Sequence, residues 1–481
     1  MKRMKKLVAL LFSLVMLCAL AMPAMAAGPY SITINGAVEK HTYTAYQVFK
    51  GVYYKGNRQV KENEEEYLSD VNWGDGVKSE ELLAALKTTN AIFGDAFKNA
   101  AKAEDVASVV ANFGNQSAKL DEFARVVGKH LTETTAGTTG EVTAGASANI
   151  NNLDAGYYFV KDTGDINAGE IATKFLVEVV GAATVAIKAE APTIEKKIVD
   201  TTDTSHTSVN IGDQVEFKLI AKVPDMANFD DYTFTISDTL SKGLTFNKAS
   251  VVVKIGTTEL TAGTNYTLGA LDTSTNTFTV TFTKDQLATH VTYDTGATIV
   301  VTYKATLNSN ALTTDKETNT AKLEYSNNPS SSDGKGTVTT PDVPVYIYDF
   351  DIDVYKYDDT GNKEGQTADK TKKLAKAEFI LYKEITENGQ TTTYYYKWDE
   401  NTGKVEWVTN KNQADLKTTT DDGKTSFQGV AAGKYFLEET KAPDGYNKLK
   451  EPVEVEITAD YKPETGELTN TNAVKNGTGQ Y

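Results

Sequence analysis

The sequence predicts a mainly β protein built of β-sandwich domains in tandem, the first with a helical insertion. Three observations carry this. From residue 190 onward, short runs rich in Thr, Val, Tyr and Ile alternate apolar with polar residues, and Gly, Asn and Asp turns punctuate them, the pattern of half-buried strands. Helical spacing is concentrated between Ser79 and Leu131, where Leu82, Leu83, Leu86, Phe93 and Phe97, then Val106, Val109, Val110 and Phe113, recur at three- and four-residue intervals. Proline-bearing joints, Ala189-Glu190-Ala191-Pro192 and the polar run from Asn327 to Pro344, each precede a new strand-like segment.

Taken in order, the chain opens with cationic Lys2, Arg3, Lys5 and Lys6, an apolar run from Leu7 to Leu20, and small residues at Ala24-Met25-Ala26. This is the pattern of a secretory signal peptide over 1–26, so the mature protein is expected to begin near Ala27 outside the cytoplasm. Domains are then expected at 27–190, 191–343 and 344–481. The one cysteine, Cys18, lies in the signal, so disulfides cannot stabilise the exported chain.

A net charge of −16 excludes a phosphate-tracking nucleic-acid binder, which needs a basic face. The four histidines, His41, His130, His206 and His290, are scattered with no second ligand or triad partner at a recognisable spacing, so no metal or cofactor is expected. Asp230-Asp231 lacks the regular spacing of a calcium loop.

An internal repeat links the first and last domains. Gly156-Tyr-Tyr-Phe-Val-Lys-Asp162 aligns in character with Gly433-Lys-Tyr-Phe-Leu-Glu-Glu439, and Tyr43–Phe49 with Ala377–Tyr382.

The strand phases carry the chemistry. Phe350, Ile352, Val354 and Lys356 share one face of a strand, and Tyr435, Leu437 and Glu439 share another, while the final strand carries Asn476. In the middle domain Lys196 lies between Ile194 and Ile198, Asp238 follows Tyr232, Phe234 and Ile236 in phase, and Asn319 precedes Ala321, Leu323 and Tyr325. Lys197 is the rival lysine, on the opposite face. Ionisable groups in apolar stripes have two readings: a buried or snorkelling ion pair, or a reacting set. In the second, desolvation favours neutral lysine and protonated acid, and the amine attacks the asparagine carboxamide.

Here a resemblance becomes specific. Tyr435–Tyr446 fits Tyr-x-Leu-x-Glu-Thr-x-Ala-Pro-x-Gly-Tyr, the E-box of Gram-positive pilins, at every fixed position. Ile236-Ser-Asp-Thr-Leu240, Gly243-Leu-Thr245 and Asn319–Pro329 resemble the isopeptide-forming second domain of fimbrial backbone proteins, and Tyr43–Phe49, Trp73–Gly76 and Gly156–Asp162 their first. The resemblance implies immunoglobulin-like domains, related to collagen-adhesin A-type and B-type modules, in a non-enzymatic shaft subunit. Its implied partners are further copies of itself, other pilins and a class C sortase; the alternative is an adhesin or basal pilin that binds a host or matrix ligand. By residue matching, Lys196, Asp238 and Asn319 take the lysine, acid and asparagine roles in the middle domain, and Lys356, Glu439 and Asn476 in the last, with Asn470 and Asn472 close to Asn476. The family's sorting signal is expected beyond Tyr481, with attachment to the cell wall. Its polymerising lysine corresponds to Lys188 in Val185-Ala-Ile-Lys188, which lacks the family's Tyr-Pro. The first strand, Ile32-Thr-Ile-Asn-Gly36, has glycine where the lysine of a reacting set would stand, so no such bond is expected in the first domain.

Overall fold

Five successive residues of Gly156–Asp162 are buried because the sheet that holds this strand is covered on both faces. The computed structural model describes residues 30–56, 65–88, 90–113, 117–143, 146–167, 169–187, 191–199, 204–226, 229–290, 297–331, 336–358 and 372–475; the proposed signal, Lys188 and Asn476 lie outside them. In the first domain the strands run Glu65–Trp73, Tyr43–Gly56, Gly156–Asp162, Lys174–Val179 across one sheet. Tyr43, Tyr158, Val160 and Val177 pack from it toward a second sheet, formed by Ala148–Leu153, Tyr30–Asn35 and Ala183–Ala186.

The other face, with Val48, Phe159 and Leu176, is covered by helices α1 (Ser79–Lys87), α2 (Ala103–Ala111) and α3 (Ser117–Lys129) through Leu82, Leu86, Val106, Val110, Phe123 and Val127. Phe93 and Phe97 are buried as their spacing suggests, yet they lie in turns and not in a helix. Asn90 Oδ1 accepts hydrogen bonds from the backbone N–H of Ile92 (3.0 Å) and Phe93 (2.6 Å), an Asx turn that competes with helical pairing.

The middle domain is a sandwich of two sheets. One contains His206–Ser208, Val343–Tyr348, Glu317–Ser326, Phe234–Leu240 and Thr277–Phe282; the other contains Leu244–Ile255, Thr298–Leu307, Gln214–Lys222 and, at its edge, Ile194–Ile198. Val343–Tyr348 pairs with Glu317–Ser326, so this sheet extends beyond the boundary expected at 343. Pro344 marks no break here: the neighbouring strand His206–Ser208 pairs only with Tyr346–Tyr348, which leaves the proline at an open edge where its missing N–H is tolerated.

The C-terminal domain pairs Phe350–Tyr355 with Lys424–Val430, facing a sheet ordered Lys404–Val408, Gln390–Asp399, Glu378–Glu387, Gly433–Lys441, Val453–Tyr461, Leu468–Lys475. Its apolar core is continuous with that of the middle domain. At the junction Ile211 N–H donates to Gly429 O at 2.9 Å, and Gly429 (φ +69°) comes so close that a Cβ there would meet Ile211 Cγ1 at 2.5 Å.

Candidate functional site

Strand phase brings four polar side chains into the middle sandwich from opposite sheets. Ile194–Ile198 is buried at alternate residues, so Lys196 faces inward while Lys197 is half-exposed and pairs with Glu195 at 3.5 Å. From the facing sheet come Asp238 and Asn319, diagonal neighbours on adjacent strands: Asp238 is opposite Ala321 and Leu240 is opposite Asn319. Both are 0 % exposed. Lys196 Nζ hydrogen-bonds Asp238 Oδ2 and donates to Tyr303 Oη at 3.1 Å, while Asn319 Nδ2 donates to the same Tyr303 oxygen at 2.6 Å. The phenol therefore stands between the amine and the amide.

The pocket is dry and aromatic, with Lys196 Nζ 5.3 Å from the Phe217 ring centroid and Phe278 edge-on to Tyr303. Burial lowers the Lys196 ammonium to about 8 against the opposing charge of Asp238, and raises the Asp238 carboxyl against the opposing charge of Lys196. The two shifts agree: both favour a neutral amine beside a protonated acid. Burial also holds the Tyr303 phenol protonated. Asp238 Oδ1 and Asn319 Oδ1 have no hydrogen-bond partner, a condition that costs about 1–3 kcal/mol for each buried polar atom.

In the C-terminal domain Lys356 follows directly after Phe350–Tyr355 and keeps the phase of Ile352 and Val354. It is half-buried, less enclosed than its stripe suggests, because it lies past the end of the strand, yet its Nζ reaches Glu439 Oε1 at 2.9 Å. Glu439 is buried, and its Oε2 accepts from Leu449 N–H at 2.8 Å, where the chain after Gly445 (φ +86°) folds back over it. Asn470 is exposed on the last described strand.

The repeat of the first domain has the same scaffold. Gly156–Asp162 pairs with Tyr43–Gly56 as Gly433–Lys441 pairs with Glu378–Glu387. Tyr158 Oη donates to Asp154 O at 2.8 Å, and Tyr435 Oη to Ala431 O at 2.7 Å, the same four-residue corner in each copy. Asp162, at the place of Glu439, is buried against His41 Nδ1 at 2.6 Å, and Glu170 Oε2 holds the other ring nitrogen at 3.2 Å. Gly36 has φ +74°, and a Cβ there would lie 2.5 Å from Ile187 O, so this position accepts no lysine.

Sequence reasoning missed Tyr303. Its signal was present: Ile299, Val301, Tyr303, Ala305 and Leu307 alternate inward, and a phenol in an aliphatic stripe needs a polar partner. Among the described residues no cluster of three His, Cys, Asp or Glu could hold a metal, and no helix is long and apolar enough to cross a membrane.

Comparison with known proteins adds independent observations. Residues 211–329 match the Gram-positive pilin backbone subunit 2, Cna-B-like domain family, and residues 356–472 the SpaA prealbumin-like fold domain family. The trypsin-resistant surface T6 protein of Streptococcus pyogenes serotype M6 is 26 % identical over 299 residues, 59 % of this chain and 50 % of that one. This chain thus spans about half the length of the curated relative it matches. The structure of the T6 backbone pilin of serotype M6 S. pyogenes, a modular three-domain protein, superposes with a TM-score of 0.53 at 19 % identity, over 91 % of this chain and 84 % of the other. That likeness extends the shared fold to all three domains.

Proposed function

We propose that this chain, a Gram-positive backbone pilin by the families of its middle and C-terminal domains, is a shaft subunit of a covalently polymerised pilus whose domains crosslink themselves through Lys–Asn isopeptide bonds. Pilins of this kind are structural subunits and not enzymes. The observation that carries the reading is the enclosure of Lys196, Asp238, Tyr303 and Asn319 in one dry pocket.

The chemistry follows from the protonation states that burial favours. Lys196 passes a proton to Asp238 and is left with a free lone pair. The amine attacks Asn319 Cγ while the protonated acid donates its O–H to the unpartnered Asn319 Oδ1 and polarises the carbonyl. A proton then moves to the departing nitrogen, the C–N bond of the carboxamide breaks, and ammonia leaves as the new amide joins Lys196 Nζ to Asn319 Cγ. Tyr303 holds the amide in place. Lys356, Glu439 and Asn476 form the equivalent set in the C-terminal domain, and the bond there ties its first strand to its last.

The signal peptide directs the subunit out of the cell, where a class C sortase joins Lys188 to the sorting signal of a neighbouring copy and the polymer is attached to the cell wall. The test is the intact mass of the purified mature chain. Two crosslinks make it lighter than its sequence by two ammonia molecules; an unmodified mass rejects the reading.

A further inference from the structure

The first and middle domains meet at a cleft of about 350 Å³ whose charge runs against that of the protein. Into it project Arg125 and Lys129 from α3, and Lys161 and Lys174 from neighbouring strands, with Asp230 and the segment Pro329–Ser331 from the middle domain. The chain as a whole carries −16, so four cations on one cleft are a local inversion of sign.

Two of these cations oppose each other by construction. Lys161 and Lys174 are direct cross-strand partners in the antiparallel pairing of Gly156–Asp162 with Lys174–Val179. Lys161 relieves this like-charge register by turning its ammonium to the strand on its other side, where Nζ lies 5.3 Å from the Tyr46 ring centroid. Both are also desolvated, which lowers the Lys174 ammonium to about 8 and pulls Lys161 down as well. Lys174 is only 5 % exposed and makes no hydrogen bond or ion pair among the described residues. The one carboxylate lining the cleft is already used: Asp230 Oδ1 meets Arg125 at 2.6 Å and Oδ2 meets Lys129 at 2.7 Å. Arg125 is further held by Glu122 at 2.5 Å.

We propose that this cleft is a binding site for a phosphate group, which would engage Lys174 and fasten the first domain to the middle one. Asp230 and Glu122 are taken up by Arg125 and Lys129, so Lys174 is left with no carboxylate in contact, and an anion in the cleft supplies the missing partner. Lysine ammonium groups act as point charges and suit a tetrahedral oxyanion approached from several sides. The cleft is larger than a phosphate ion, so it accommodates either inorganic phosphate or the phosphate of an ester.

The experiment is calorimetric titration of the full mature chain, in low-salt chloride buffer, with inorganic phosphate, with glycerol 3-phosphate and with acetate. Saturable binding of phosphate, with acetate much weaker, is expected. Equal binding of ion and ester means that the group alone is read; tighter binding of the ester means that its organic part is read too. Lys174→Met should weaken phosphate on the order of tenfold, the loss of one charged contact. Because Lys174 is unpartnered, Lys174→Met should fold as well as the parent, which far-UV circular dichroism and unchanged crosslink masses would establish. Absence of saturable binding by the parent chain, acetate binding as tight as phosphate, or unaltered affinity in Lys174→Met overturns the proposal.

Discussion

Asp162 and Glu439 close the same strand motif in two copies of one scaffold, yet Asp162 meets an imidazole and Glu439 an ammonium group. An acid in this place therefore does not by itself fix its partner. What differs is the partner that the first strand supplies, and in the first domain Gly36 supplies none.

The His41 pair gives the first domain a pH dependence of its own. Burial alone would lower the imidazole, but hydrogen bonds and charge from Asp162 and Glu170 outweigh it and raise its pKa above 6.5. A raised histidine contributes stability that is complete below its unfolded value and is lost as pH rises through its folded value. Asp162, itself raised by burial, acts in the same sense at lower pH, whereas Glu170 is lowered and loses its contribution only in acid. Limited proteolysis within residues 27–190 should therefore accelerate as pH increases from about 6.5 toward 8.5. His41→Gln should flatten that rise, and cleavage rates independent of pH in the parent would refute the assignment.

Asp238→Ala should restore one ammonia to the intact mass, and Glu439→Ala the other, because in each case the proton relay is gone. In the middle domain the proposed bond would close the long loop from Lys196 to Asn319, and by analogy with a disulfide it should be worth about 5 kcal/mol. Its loss in Asp238→Ala should lower the thermal midpoint of that domain by on the order of 10–20 °C, read by calorimetry. An Asp238→Ala protein that keeps the parent mass would show that the acid is dispensable.

Much of this was legible in the sequence because strand phase is a two-residue period, and a polar residue in an apolar stripe stands out. Lys196, Asp238 and Asn319 could each be placed facing inward from their own neighbours. What phase does not give is which strands face one another. Tyr303 lies in the sheet of Lys196 and reaches across to Asn319 in the other, and that relation exists only once the sandwich closes. The His41–Asp162 pair was hidden for the same reason: the two residues are far apart in sequence, and His41 lies in a turn without periodicity. Phe93 and Phe97 mislead in the opposite direction, since helical spacing there reflects a shared aromatic cluster with Phe113 and not a helix.

Tyr303 also makes a separable contribution. Tyr303→Phe keeps the ring that stacks on Phe217 and meets Phe278, and removes only the hydroxyl that holds Asn319 Nδ2 and Lys196 Nζ. Losing a buried hydrogen bond of about 1–1.5 kcal/mol from the reacting geometry should slow crosslinking on the order of tenfold without abolishing it. A time course of intact mass after refolding would show this lag. Equal rates would make the phenol a packing residue only.

The last prediction concerns the link between subunits. A sortase that carries an acyl-linked neighbour must reach its acceptor amine, which excludes Lys196, fully buried in its own pocket, and disfavours Lys356, held against Glu439. Lys188 follows directly on Ile187, whose N–H donates to Asn35 O at 2.8 Å beside the tight turn at Gly36. The first strand thus fixes the chain immediately before Lys188, which stands four residues ahead of Pro192. Coexpression of the subunit, fused to a sorting signal, with a pilin sortase should give a ladder of covalent multimers. The ladder should vanish in both Lys188→Ala and Lys188→Arg, since arginine keeps the charge but is not a nucleophilic amine at neutral pH. Both variants should retain the two internal crosslinks by mass, which separates polymerisation from folding. A ladder that persists in both variants would assign the acceptor to another lysine.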